Sequence, residues 1–79
     1  MISPTSEERI VIGYKQVLKA EKSGVCKKIF VALDCSQNMM DTILKEAGGI
    51  PVEKVPSMRE LGRECGIDVP ASCAAIVRL

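Results

Sequence analysis

Four short β-branched or apolar runs alternate with segments of helical periodicity, and this alternation limits the fold more than any other feature of the chain. The runs are Ile10-Val11-Ile12, Lys28-Ile29-Phe30-Val31-Ala32-Leu33, Ile50-Pro51-Val52-Glu53-Lys54-Val55 and Cys73-Ala74-Ala75-Ile76-Val77. Each is short enough for a strand and is bounded by Gly, Pro or Asp. Between them, Tyr14 to Lys22 and Met39 to Ala47 repeat their apolar residues at helical spacing, and Gly24 and Gly48-Gly49 stop them. Strands alternating with helices give an α/β sheet with helices on both faces. Pro51 sets its strand at a start or an edge.

Local signals place the helix starts. Ser57-Met58-Arg59-Glu60 is a capping box, with Pro56 and Leu61 spaced as a hydrophobic staple, and its helix should run to Gly66. Ser36 or Asn38 can cap the second helix. Thr5-Ser6-Glu7-Glu8 reads as another capping box, opening a short helix before the β-branched run at Ile10. Glu21 falls inside the apolar arc of its helix, which predicts a wet helix edge there.

The 79 residues are expected to make one domain spanning 1–79. A chain of this size buries about two-thirds of its unfolded surface, which leaves a thin core and little room for a deep catalytic cleft. Tyr14 and Phe30 are the only aromatic residues, so the core is aliphatic and no aromatic platform exists for stacking successive bases. No histidine is present, which removes the commonest general base and metal ligand. Cys26, Cys35, Cys65 and Cys73 form no C-x-x-C pair, so no metal site is expected and the thiols read as reduced and mostly buried. The residues offer no nucleophile–base pair and no phosphate loop, so neither catalysis nor a cofactor is expected. The N-terminus is no export signal and no apolar run would span a bilayer, so a cytoplasmic protein is expected.

Net charge is only +1, so any nucleic-acid contact must come from local placement of charge. Two segments stand out. Gly13 opens a helix on which Lys15, Lys19 and Lys22 share one face, flanked by Gln16, with Tyr14, Val17 and Leu18 opposite. A helix start attracts phosphate, and the lysines add charge beside it. A solvated lysine face is the ordinary alternative. The second segment, Gly66-Ile67-Asp68-Val69-Pro70, sets two aliphatic residues in a short loop. They are either core residues at a helix–strand joint or an apolar ledge for an unstacked base.

Together the two segments resemble the signatures of the ribosomal protein L7Ae/L30e family, the kink-turn RNA binders. Gly13-Tyr14-Lys15-Gln16-Val17-Leu18-Lys19-Ala20 is similar to the family's helix-opening motif. Val55 through Ala71, with Ser57-Met58-Arg59-Glu60-Leu61-Gly62 at its centre, is similar to its second. The resemblance runs from about Ile10 to Val77 and is nearest the short bacterial members. It implies a three-layer α/β/α sandwich around a small mixed sheet. It also implies a partner: a kink-turn, a sharply bent RNA with sheared G·A pairs and a flipped-out nucleotide. By that resemblance Lys15 and Gln16 meet the guanines and Lys19 the backbone and a nearby base, while Ile67, Asp68 and Val69 pack on the flipped nucleotide. Gly13, Tyr14, Lys22 and Pro70 complete the expected RNA-binding set. A monomer of ribosomal or ribosome-associated type is expected, and the rival is a protein–protein adaptor of the same fold. This chain has Lys15 and Gln16 where many members have Asn and Glu, Leu18 for a frequent Thr, and Asp68 for a longer Glu.

Overall fold

The computed structural model describes residues 2–79. Four strands and three helices follow in the order β1 (Glu8–Ile12), α1 (Tyr14–Ser23), β2 (Cys26–Ala32), α2 (Gln37–Ala47), β3 (Val52–Val55), α3 (Met58–Glu64) and β4 (Cys73–Arg78). The sheet order is β1-β4-β2-β3. β1 and β2 each pair antiparallel with β4, and β2 pairs parallel with β3. Parallel neighbours need a crossover, and α2 supplies it. The sheet is therefore mixed, as the resemblance implied.

The strand pleat sorts side chains between two faces. Ile29 and Val31 of β2 and Cys73, Ala75 and Val77 of β4 point to the face covered by α1 and α2, where Val17, Met40 and Ile43 meet them. Phe30, Ala32 and Ala74 point the other way, under Leu61 of α3. That makes three layers: two helices, the sheet, one helix. β4 is sandwiched between layers, which explains its run of small residues; Ala74 and Ala75 are wholly buried.

The expected short helix at Thr5 is absent. The same residues close a turn instead: the Glu8 amide donates to the Thr5 carbonyl at 3.0 Å, and the Thr5 amide donates to Glu8 Oε1 at 3.0 Å. The pairing implied by the capping signature is half present, but it launches a strand. Pairing of Glu8 through Ile12 with β4 satisfies those backbone groups better than one helical turn before a β-branched run would. The β-branched composition of Ile10 to Ile12 suggests a buried strand, but the run is half-buried because β1 lies at the sheet edge.

Glu21 also departs from expectation. It is 9% exposed rather than wet, and neither carboxylate oxygen has a hydrogen-bond partner. Packing of α2 beside α1 closes the edge that the isolated helix would leave open. Burial, with the charge of Glu46 adding, pushes its carboxyl up to about 7. The proton retained there lowers the cost of an unpartnered buried acid.

Candidate nucleic-acid interface

The topology gathers the candidate residues at one edge of the sheet. Ile12 pairs with Ala74, Val31 with Cys73, and Ala32 with Val55, so β1, β2 and β3 all end where β4 begins. Each of those three strands feeds a helix, so all three helices start on that edge. The loop entering β4 lies there too.

Gly13 makes the first of these starts. Its φ of 105° and ψ of 152° lie in a region that essentially only glycine adopts, and this turns the chain from β1 directly into α1. Its amide donates to the Cys73 carbonyl at 2.9 Å. One residue earlier, the Ser72 carbonyl accepts from the Ala32 amide at 3.0 Å. The end of the 67–72 loop is thereby tied to the start of α1 and to the end of β2, and the two segments singled out in the sequence come together.

At the start of α1, Gly13 supplies no side-chain cap, and the first turn holds no acidic residue. Lys15, Gln16 and Lys19 are exposed, Tyr14 is half-buried, and Val17 is fully buried against the sheet. The lysine face and the apolar face thus fall where the helical spacing set them. Lys22 shares the lysine face but sits in the last turn, about 10 Å along the axis from Lys15. It extends the stripe away from the loop. A shallow recess of about 120 Å³ beside the stripe is lined by Arg9, Val11, Gln16 and Lys19 among others, so β1 contributes a cation that the sequence reading missed.

The loop is held by α3. The Ile67 amide donates to the Gly62 carbonyl and the Ala71 amide to the Met58 carbonyl, each at 3.0 Å. Between those bonds the loop lies so close to α3 that a Cβ at Gly62 would collide with the Val69 carbonyl oxygen. The buried, mid-helix Gly62 is therefore what admits the loop; the sequence reading missed its role, and a glycine inside a helical pattern is the signal that could have found it. The two aliphatic residues divide between the alternatives: Ile67 is half-buried against the α3-side core, whereas Val69 is 61% exposed beside exposed Asp68 and Pro70.

Asp34 is another residue missed by sequence reasoning. From the end of β2 its Oδ1 accepts from the Met58 amide at 2.7 Å. Ser57 Oγ accepts from the Glu60 amide at 3.1 Å, as its capping box foretold. The start of α3 is capped twice. Ser36 precedes α2 but makes no side-chain cap bond.

The cysteines do not form a reactive centre. Cys73 is buried and the other three are half-buried rather than mostly buried. Burial raises all four thiols, Cys73 to about 11, which leaves little thiolate. Among the described residues, no three His, Cys, Asp or Glu side chains cluster to hold a metal, and no helix is long and apolar enough to cross a membrane.

A three-layer α/β/α domain, with an uncapped basic helix start tied to an apolar loop, defines the class of protein at hand. The chain belongs to the ribosomal protein L7Ae/L30e/S12e/Gadd45 family, whose model matches residues 4–79. It is 38% identical over 72 residues to an RNA-binding protein of Geobacillus sp. (strain WCH70), covering 89% of this chain and 88% of that one. It is 39% identical over the same length to the RNA-binding protein YbxF of Geobacillus stearothermophilus, with the same coverage. Among solved structures, the Giardia lamblia 15.5kD RNA binding protein superposes with a TM-score of 0.71 at 27% identity. That match covers 89% of this chain and 61% of the Giardia chain.

Proposed function

We propose that this chain binds a structured RNA containing a kink-turn and stabilises its bent form, acting as a cytoplasmic monomer of ribosomal or ribosome-associated type and catalysing no reaction. The observation that carries this reading is the bond between Gly13 and Cys73, which sets the open start of α1 beside the 67–70 loop. The free amide end of α1, with Lys15 and Lys19, suits phosphate and the acceptor edges of guanine. Gln16 offers both a donor and an acceptor to a base edge. Val69 and Pro70, exposed beside Ile67, suit the face of a nucleotide that has left the stack. The relatives named as RNA-binding proteins support the same partner class.

The test is affinity for a kink-turn RNA against a straight duplex of equal length at matched salt. A clear preference for the kink-turn is expected, because the loop ledge has no counterpart to meet on a continuous stack. Equal affinity for both would reduce the interaction to nonspecific electrostatics and defeat the proposal.

A further inference from the structure

The sides of α3 carry opposite charge. Glu60 and Glu64 lie along a recess shared with Glu53 and Lys54 of β3, while Arg59 and Arg63 line a different one, with Ile67, Asp68, Val69 and Pro70 of the loop. This second recess has a volume of about 320 Å³. Arg59 and Arg63 are one helical turn apart, so like charges sit side by side, an arrangement that destabilises an isolated helix. Both are exposed, and among the described residues neither side chain makes an ion pair or hydrogen bond. Asp68 shares the recess without pairing to either.

We propose that Arg59 and Arg63 grip the sugar–phosphate backbone of one duplex arm of the bound RNA, where that arm leaves the kink past the 67–70 loop. The assignment rests on the kink-turn reading of the α1 end. The recess takes its loop side from the 67–70 segment, whose chain runs on to Cys73 and the bond that ties it to Gly13 at the start of α1. Guanidinium groups bind phosphate through paired N–H donors, and two of them spaced along a helix suit successive phosphates of one strand.

The experiment compares the parent with the double variant Arg59→Gln/Arg63→Gln. Affinity is measured against salt for a kink-turn RNA with two long arms and for two versions with either arm trimmed. With both arms present, the double variant should bind about ten-fold more weakly, and its salt slope should fall by about two. That difference should vanish when one particular arm is trimmed and persist when the other is. Thermal melts should match the parent's, because both side chains are exposed and a repulsive pair is lost. Unchanged affinity and slope with both arms present would overturn the proposal. So would a loss that survives trimming of either arm, which would put the arginines on the kink itself. The underlying kink-turn reading is tested by the parent alone, through its preference for kinked over straight RNA; if that preference is absent, both readings fall.

Discussion

Two helices begin on the same edge of the sheet and are finished in opposite ways. α3 is closed: Ser57 and Asp34 each accept one of its leading amides, at 3.1 and 2.7 Å, and Glu60 adds an acid to the first turn. α1 is open: its capping position is Gly13, no side chain accepts from its amides, and no acid stands in its first turn. With glycine at the capping position the open start gives up only a few tenths of a kcal/mol relative to a capping side chain, because water reaches the amides. Within one small domain the chain supplies full capping where the helix serves to hold a loop, and omits it where Lys15 and Gln16 stand exposed. α2 also starts without a side-chain cap bond or an acid in its first turn, so what sets α1 apart is the open start combined with exposed Lys15 and Lys19 beside it.

Opening the closed end should produce the largest effect. Asp34→Ala with Ser57→Ala removes both acceptors and should lower unfolding free energy by about 2–3 kcal/mol, since each cap is worth about 1 kcal/mol and the bond to a charged acceptor somewhat more. For a domain of this size the melting midpoint should fall by roughly 10 °C or more. RNA affinity of the folded fraction should change little, because neither side chain lies on the α1 surface. Chemical denaturation and binding titrations on the same samples separate the two quantities. A small stability change would mean that water replaces both acceptors at little cost, and the contrast between the helices would lose its energetic meaning.

How much of this contrast was readable beforehand depends on distance along the chain. Ser57 and Glu60 lie three residues apart, and their capping signature held, as did the start and stop of α1 at Gly13 and Gly24. The layered α/β order followed from periodicity alone, and its mixed sheet from the family resemblance. Asp34 acts on an amide 24 residues away, and no local pattern announces that. Thr5 and Glu8 carried a valid local signature whose outcome was reversed by pairing with β4, from the far end of the sequence. Glu21 was read from its own helix, but its burial is decided by α2. The candidate surface was legible where it is continuous in sequence, at Gly13 to Lys19 and Ile67 to Pro70. It was illegible where Arg9, Arg59 and Arg63 join it from other elements.

The buried end of α1 makes a second, smaller test of how that helix is held. Glu21 keeps its proton in the folded protein up to about pH 7, whereas an unfolded chain releases it near the ordinary value of 4.5. Between those values the folded state binds more protons, so stability falls as pH rises through that window and is fully retained below it. Glu8 works the other way and lower: its bond to Lys27, helped by the Thr5 amide, holds its carboxyl down to about 2, so its contribution is lost only as pH falls from 4.5 towards that value. The melting midpoint should therefore drop by several degrees between about pH 5 and about pH 8. Glu21→Gln, which has no proton to lose, should flatten that slope. A parent midpoint that is level across the window would show that Glu21 reaches water in solution.

Closing the open end should give the smallest change in stability and the most informative one, because stability and binding should move in opposite directions. Lys15→Glu puts a carboxylate in the first turn of α1, where the exposed amides and the helix dipole favour negative charge. The folded protein should gain about 0.3–1 kcal/mol, seen as a slightly higher midpoint at low salt that converges on the parent's as salt screens the dipole. RNA binding should weaken sharply, since the new carboxylate occupies the amides and repels phosphate. Lys15→Gln separates the two causes: it removes the cation without filling the amide site, so it should bind RNA better than the glutamate variant and gain less stability. If Lys15→Glu is no more stable than the parent, the α1 amides already have partners in the folded protein. If it gains stability yet binds RNA as tightly as the parent, the open end of α1 is not where the phosphate sits, and the contrast between the two helices has another cause.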